Sequence, residues 1–571
     1  MERWVVTAKR ADFQEIGKRF HIDPVTARVI RNRDVTEQEA IEQYLHGGLE
    51  DLNDPWLMKD MKKAADMIVL AMKEKKKIRI IGDYDIDGVM STYILLTGLS
   101  RIGAVVDTYI PDRVQDGYGM HEHLVRRAFE DHIDVIVTCD NGIAAYKEIS
   151  LAKELGMQVL VTDHHNIPYE EREDGSRVSI LPPADAVVNP KQEDCPYPFQ
   201  ELCGAAVVYK MVTALYQKCG IDHTEHEKLL ELVAIATVGD VMDLLGENRI
   251  LVKEGLKRLQ NPGNLGIRAL VEATGLQDKT INAYHIGFVL GPCINASGRL
   301  DTAQRSLSLL RASNKEEAAR LAGDLVAINE SRKAMTAEGV EQAIKVLESG
   351  ELHKDRVLVV YLPDCHESLA GIIAGRLRER YYKPVFVLTR GEKGVKGSGR
   401  SIEAYSMYDE LTKCKELLTQ FGGHPMAAGL SLPEEHVESF RKKLNEVCTL
   451  TQQELIPKVT IDVPMPLSYV KTSLVKELEL LEPFGKGNPR PLFAQKNVRI
   501  LSPRVVGRNR NVVQMKVMDE AGTIFPAVYF GDGDEFCEFA AEKETVSIVY
   551  YPQLHVWQGV ETLRITIQNY Q

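Results

Sequence analysis

Three acidic clusters and one isolated aspartate carry the chemistry legible in this 571-residue sequence. Gly82-Asp83-Tyr84-Asp85-Ile86-Asp87-Gly88 places three carboxylates within five residues. Cys139-Asp140-Asn141-Gly142 and Asp163-His164-His165 follow downstream, and Asp240 stands in Thr237-Val238-Gly239-Asp240. One aspartate after a strand is most often a turn former or a helix cap. Clusters at successive strand ends are harder to explain that way, because converging carboxylates repel unless protons or divalent cations neutralise them. Hard cations take oxygen ligands, and an added imidazole tilts the choice toward Mn²⁺ over Ca²⁺. These residues therefore point to a site for divalent cations.

The elements that must position them are readable from the apolar runs. KIRIIGD, AVVDTYI, DVIVTCD and MQVLVTD read as short buried strands separated by helical stretches such as 143–155. That alternation implies a largely parallel sheet, whose ligand crevice lies at the carboxyl ends of the strands, where the clusters stand. Residues 166–200, with Pro168, Pro182, Pro183, Pro190, Pro196 and Pro198, read as an irregular loop. A mostly helical region runs from 201 to 310. Leu321, Leu325, Ile328, Met335, Val340, Ile344 and Leu347 then predict one helix over 315–348, about 50 Å long and able to join two lobes. A smaller α/β unit follows: the strand RVLVVYL, a helix near 368–381, the strand PVFVLT and a Gly-rich loop. In the last stretch Leu563, Ile565 and Ile567 alternate with polar residues, as do Val513, Met515 and Val517. This pattern predicts a small barrel or sandwich, with an OB-type barrel one candidate.

The Gly-rich segments offer phosphate chemistry. Gly397-Ser398-Gly399-Arg400 and Gly422-Gly423-His424 combine glycines, which let backbone N–H groups approach an anion, with Ser, Arg and His donors. The net charge of −12, from 70 Lys and Arg against 82 Asp and Glu, excludes a protein that coats nucleic acid by bulk positive charge. Locally the balance inverts: residues 371–400 hold eight Lys or Arg against two Glu, and residues 486–517 hold eight and no acid. Two such segments read as a path for a nucleic-acid strand, with Phe484, Phe493, Tyr529, Tyr551 and Trp557 as candidates for stacking bases. The nine cysteines include no C-x-x-C pair, so neither a zinc ribbon nor a disulfide scaffold is indicated. The opening MERWVVTAKRADFQ is too charged for a signal peptide, and no apolar run approaches the ~18–20 residues of a membrane helix. A cytoplasmic protein is expected.

Taken together, these motifs resemble the DHH phosphoesterase superfamily and, within it, the bacterial RecJ single-strand exonucleases. Gly117-Tyr118-Gly119, Asp140-Asn141-Gly142, Gly239-Asp240-Val241 and Asn295-Ala296-Ser297-Gly298-Arg299-Leu300 fall in that family's order. So do the two Gly-rich segments and Pro483-Phe484-Gly485-Lys486-Gly487-Asn488-Pro489, and the similarity runs from about residue 50 to the end. The resemblance implies an α/β fold: a two-lobed DHH/DHHA1 core with a parallel sheet, a long connecting helix and a β-rich, OB-like C-terminal domain. The implied boundaries are an N-terminal segment (1–55), the DHH catalytic domain (56–220) and a helical continuation carrying Asp240 and Arg299 (221–314). The connecting helix (315–348), the DHHA1 domain (349–450) and the OB-like domain (451–571) follow.

The resemblance also assigns roles. Asp83, Asp85, Asp87, Asp140, His164 and Asp240 would surround two divalent ions, Mn²⁺ or Mg²⁺. His165 would lie beside the scissile phosphate, with Asp163 orienting a ligand histidine. Ser398 and Arg400 would hold a terminal 5′-phosphate, helped by Arg113 and Arg299, while His424 would contact a phosphate near the cut. Tyr118, Gly422 and Gly423 complete the implied phosphate- and DNA-binding set. The implied activity is a two-metal, in-line hydrolysis of single-stranded DNA from its 5′ end, releasing 5′-mononucleotides in DNA repair and recombination. Single-strand-binding protein and a RecQ-type helicase are the implied partners of a monomeric enzyme. One departure stands out: Cys365-His366-Glu367-Ser368 replaces the family's Trp-His-x-Gly, which bears on packing in the second lobe. Two other readings share the fold. A small-substrate phosphoesterase acting on oligoribonucleotides, cyclic dinucleotides or pyrophosphate would not need the basic β-rich domain, and an inactive replication scaffold would have lost metal ligands.

Overall fold

The computed structural model describes all residues except Met1, Val114, Gln115, Tyr118, residues 173–175, Lys393 and Gln558. The chain divides into two compact units. The first comprises residues 4–292, 306–319 and 460–571; residues 293–305 and 320–459 form most of the second.

In the first unit, β1 (Lys77–Ile81), α1 (Ile86–Arg101), β2 (Val105–Tyr109), α2 (Glu122–Glu130), β3 (Val135–Cys139), α3 (Tyr146–Glu154) and β4 (Gln158–Thr162) follow the expected alternation. The strands are parallel in the order β2-β1-β3-β4, and a fifth, β5 (Ala186–Val188), extends the sheet beside β4. Residues 166–200 are therefore not wholly irregular: they supply β5 and a small hairpin, Tyr169–Glu171 against Arg177–Ser179. Three residues between Pro183 and Pro190 are too few to show a period, and only pairing with β4 makes them a strand. The helices α4 (Gly204–Cys219), α5 (Leu230–Gly239) and α6 (Gly246–Leu259) come next. α4 and α5 are buried over nearly their whole length, as their almost uninterrupted apolar sequences require.

The second unit contains most of α7 (Lys315–Ser349), then β6 (Leu358–Tyr361), α8 (Ala370–Tyr381), β7 (Val385–Gly391), β8 (Gly394–Arg400), β9 (Gln420–His424), β10 (Ala427–Leu432) and α9 (Val437–Val447). The sheet order is β9-β10-β8-β7-β6, with only β6 and β7 parallel. Period-two alternation splits its apolar residues between two cores. Leu358, Val360, Val385 and Val387 pack with Ala343, Leu347, Ile373 and Leu377, whereas Val359, Phe386 and Leu388 pack with Phe440 and Leu444. The expected Gly-rich loop is the strand β8 in the middle of this sheet.

The C-terminal part of the first unit is a closed barrel: β11 (Phe493–Val506), β12 (Val512–Met518), β13 (Ile524–Phe530), α10 (Gly533–Ala541), β14 (Val546–Trp557) and β15 (Val560–Tyr570). Its order is β11-β12-β13-β15-β14, and β14 pairs back onto β11, leaving no open edge between them. Ile30, Tyr44 and Leu45 from the N-terminal helices share its hydrophobic core. Arg249 of α6 ties these parts together by donating to the carbonyls of Tyr44, Leu480 and Leu481. Among the described residues no helix is long and apolar enough to cross a membrane.

Candidate metal centre

Each cluster stands where a strand of the parallel sheet ends. After β1 the chain turns directly into α1, and Asp85 caps that helix by accepting from the Asp87 and Gly88 amides at 3.0 and 3.1 Å through Oδ1. Asp87, fully buried, accepts from the Gly204 and Ala205 amides at 2.6 and 2.8 Å, so the first turn of α4 supports its charge. Asp140, after β3, adopts the left-handed conformation with φ 60°, a costly backbone for a residue with a Cβ and one that concentrates at functional sites. Gly204 keeps α4 close: a Cβ there would lie 2.8 Å from that of Asp140. Asp240 ends α5 as its C-cap.

These side chains converge. His164 Nε2 lies 3.1 Å from Asp140 Oδ1, 3.7 Å from Asp87 Oδ2 and 3.9 Å from Asp240 Oδ2. Three groups of ligand atoms are close enough to share an ion: Asp83, Asp85 and Asp140; Asp87, His164 and Asp240; and Asp140, His164 and His165. The first two have no residue in common, and the third links them. Asp83 Oδ1 and His164 Nδ1 are buried with no hydrogen-bond partner among the described residues, polar atoms that a bound cation or its water would satisfy. The donor set, five carboxylates and a neutral imidazole, fits Mn²⁺ or Mg²⁺.

The electrostatics agree. Burial and the neighbouring Asp85 charge push Asp83 up and raise Asp87 to about 6. Burial, then repulsion from Asp87, Asp85 and Asp83, raises Asp140, and burial with Asp87 raises Asp240 to about 7. These upward shifts register a mutual repulsion that bound cations would relieve. Burial and the charge of His165 lower His164, which keeps it neutral and able to ligate. His165 differs: burial opposes its charge, but the bond to Asp163 and the surrounding carboxylates outweigh it and raise it to about 9.

Asp163 is saturated by its neighbours. Oδ1 accepts from the His164 amide at 2.7 Å, the His165 amide at 3.0 Å and His165 Nδ1 at 2.8 Å; Oδ2 accepts from the Ile143 amide at 2.9 Å. It thus orients His165, whereas the sequence reading had it orienting a ligand histidine. His165 remains 41% exposed at the mouth of the site. Arg113, on the loop after β2, stacks over Tyr84 at 4.9 Å. Tyr118 lies outside the described residues.

The second unit gathers the other implied donors. Arg400 Nη1 donates to Ser398 Oγ at 3.2 Å, and Arg299 Nη1 donates to the Ser368 carbonyl at 3.0 Å. The N-terminal turn of α8 lies against Ser398 and Arg400 at Gly371, where a Cβ would lie 2.8 and 2.7 Å from their side chains. The glycines of β8 serve a different purpose from the one expected. A Cβ on Gly397 would collide with Leu388, and one on Gly399 with Met407 and Phe386, while the strand is paired on both sides. The ladder and the core thus account for these glycines, which leaves the side chains of Ser398 and Arg400 as the strand's candidate anion donors. Gly422, Gly423 and His424 are exposed on the edge strand β9, with Gly423 at φ 143°. At the departure from the family pattern, Cys365 is half-buried against the local core and Ser368 Oγ pairs with His366 Nδ1 at 2.7 Å.

A cavity of about 1130 Å³ in the first unit begins at Val238, Gly239 and Val241, beside Asp240, and reaches Phe484, Arg490 and Tyr551 at the barrel. Tyr284 and Phe288 line it, 62% and 66% exposed and stacked at 4.8 Å. The sequence reading missed this pair; the available signal was the i, i+4 spacing of two aromatics just before Asn295-Ala296-Ser297. Of the expected stacking residues, Phe484 and Tyr551 flank Arg490 in cation–π contact at 4.7 and 5.0 Å. Phe493 is instead fully buried in the barrel core, and Tyr529 stacks on Phe536 at 4.8 Å. The Trp557 side chain lies outside the described residues. Four of the eight cations in 486–517 pair with carboxylates from elsewhere in the unit: Lys486 with Asp243, Arg490 with Glu482, Arg499 with Glu544 and Arg510 with Asp534.

Three family models match the chain: the DHH family N-terminal domain over residues 77–237, the DHHA1 domain over 354–450 and the RecJ OB domain over 461–569. The single-stranded-DNA-specific exonuclease RecJ of Bacillus subtilis is 35% identical, over 99% of this chain and 70% of its own. That of Escherichia coli is 32% identical over 96% of each. The chain belongs to the RecJ family. Its fold is that of RecJ from Thermus thermophilus solved with Mn²⁺, with a TM-score of 0.83 and 27% identity over all of this chain and 79% of that one. The same Thermus protein has also been solved with Mg²⁺ (TM-score 0.77). RecJ membership makes this chain a nuclease, and the six implied ligands all fall within the side-chain groups that could hold an ion.

Proposed function

We propose that the protein is a Mn²⁺- or Mg²⁺-dependent exonuclease that degrades single-stranded DNA from its 5′ end and releases 5′-mononucleotides. The observation that carries this reading is the pair of ligand triads, Asp83/Asp85/Asp140 and Asp87/His164/Asp240, which have no residue in common and are suited to two ions. Bound there, divalent ions supply Lewis-acid activation of water and neutralise charge at the scissile phosphate. The chain's own residues do the rest. Hydrolysis joins a water oxygen to phosphorus and breaks the P–O3′ bond. The released nucleotide leaves with a 3′-hydroxyl, and the shortened strand keeps its 5′-phosphate. His165, charged and fixed by Asp163, stands at the mouth of the centre to hold a phosphate oxygen and donate a proton. Ser398, Arg400, Arg299 and the first turn of α8 supply the donors for a terminal 5′-phosphate, which sets polarity. The aromatic-lined cavity leading from Asp240 supports a path for unpaired bases.

The RecJ OB domain favours this reading over a small-substrate phosphoesterase, and the intact ligand set favours it over an inactive scaffold. A single-strand substrate suits a monomer in the cytoplasm acting in DNA repair and recombination, beside proteins that coat or unwind the strand. The deciding experiment follows 5′- and 3′-labelled single strands, duplexes and pyrophosphate with Mn²⁺, for the wild type and Asp140→Ala. The wild type should shorten single strands from the 5′ end alone, and the variant should bind DNA without cutting it. Full activity in Asp140→Ala would overturn the metal assignment.

A further inference from the structure

A lysine just beyond the carboxyl end of the fifth strand belongs to none of the motifs above. β5 ends at Val188, beside the end of β4, and the Val188 carbonyl accepts from the Asp163 amide at 3.1 Å. The next four residues, Asn189-Pro190-Lys191-Gln192, form a tight turn, with Asn and Pro in the positions such turns favour. That turn is held on three sides. The Asn189 side chain, fully buried, donates to the His165 carbonyl at 3.0 Å and accepts from the Lys191 amide at 2.8 Å. Gln192 Nε2 donates back to the Val187 carbonyl at 2.8 Å. One amide side chain therefore links the backbones of Lys191 and His165, and Lys191 occupies a fixed position at the carboxyl end of the fifth strand of the parallel sheet.

Its side chain is only 19% exposed, and its one ion pair within 4 Å among the described residues is a long one, 3.9 Å to Glu201, a residue itself 60% exposed. Among the described residues no carboxylate of the metal centre pairs with it within that distance. A lysine placed in this way keeps its ammonium for an anion that arrives with the substrate. In phosphoryl transfer, negative charge spreads over the non-bridging oxygens, and a fixed donor near them acts on the transition state.

Building on the phosphodiesterase reading above, we propose that Lys191 is a further catalytic residue whose ammonium contacts a non-bridging oxygen of the scissile phosphate on the side of His164 and His165. Removing one preorganised donor of this kind typically costs ~100-fold or more in kcat. The test uses the Mn²⁺-loaded full chain with 5′-phosphorylated single strands, comparing wild type, Lys191→Gln and Lys191→Arg. Lys191→Gln should lower kcat by ~100-fold with KM nearly unchanged, and Lys191→Arg, which keeps a cation, should recover much of the loss. Mn²⁺ affinity, titrated calorimetrically, should stay within about twofold for both variants, since no metal ligand is touched. A Lys191→Gln enzyme with near-wild-type kcat overturns the proposal. So does one whose defect follows altered Mn²⁺ affinity, because Lys191 would then be only a counterweight to the acidic cluster. If Lys191→Gln fails to fold, Lys191→Arg decides alone, since substantial kcat in that variant is required. A wild type that leaves single strands intact refutes the nuclease reading itself, a result distinct from a fully active Lys191→Gln.

Discussion

Asp240→Asn should stabilise the metal-free protein and weaken the metal-loaded one, with a pH signature that identifies the cause. Asp240 has an ordinary value of 3.8 and is raised to about 7 by burial and by Asp87. The folded chain therefore binds more protons than the unfolded chain between those values, and metal-free stability falls as pH rises through them. At 1.36 kcal/mol per pH unit the full gap corresponds to roughly 4 kcal/mol. Asp87 shares the repulsion, so removing one of the two charges should relieve about 2 kcal/mol above pH 8, less than half as much near pH 5, and nothing well below 3.8, where Asp240 is neutral in the folded and unfolded chain alike. For a unit of this size, at ~2.1 cal/mol/K of unfolding entropy per residue, that is a rise of roughly 2–3 °C in Tm. The assay is calorimetry of chelator-treated protein at pH 5, 6, 7 and 8, repeated with Mn²⁺. Saturating Mn²⁺ should reverse the order, because ion at 100 times its Kd adds ~2.7 kcal/mol to the wild type and Asp240→Asn has lost one ligand of a triad. A variant no more stable than wild type at pH 8 without metal, or one offset equally at pH 5 and pH 8, would refute the reasoning.

Two further outcomes test other parts of the molecule. Arg400→Ala should reduce kcat/KM on 5′-phosphorylated strands by ~10–100-fold, the worth of a hydrogen bond to a charged group, and leave 5′-hydroxyl strands nearly unaffected. Equal loss on both ends, in a side-by-side rate measurement, would remove Arg400 from end capture. Replacing Tyr284 and Phe288 together by Ala should weaken single-strand binding by ~1–3 kcal/mol per base no longer stacked, measured by fluorescence anisotropy, without changing Mn²⁺ binding. Unchanged DNA affinity would show that the cavity is not the strand's path.

The parts of the fold and centre that were legible in the sequence are local ones. An apolar run ending in Asp is a strand followed by a crevice-facing carboxylate, and three such runs in parallel order place Asp83, Asp140 and Asp163 at one end of one sheet. α7 was legible because apolar residues recur at helical spacing between Leu321 and Leu347 with no Pro to interrupt them. β5 was not, since its three residues exist as a strand only through pairing with β4. The glycines of β8 carry the composition of a phosphate loop, but their absent side chains make room for Leu388, Phe386 and Met407, which arrive from other elements.

The sequence by itself determined the candidate ligands, the order of the DHH, DHHA1 and OB domains and the family, because each depends on residue type and spacing along the chain. Tertiary structure decided what those residues meet. It buried Phe493 in the barrel while leaving Tyr284 and Phe288 exposed on a cavity wall, and it gave four of eight clustered cations carboxylate partners from elsewhere. It also turned Asp163 toward His165 and set Lys191 on a turn that Asn189 ties to the His165 backbone. The physical reason is common to these cases. Burial and charge pairing are set by contacts between residues far apart in the chain, and a local count of charges or aromatics contains no information about them.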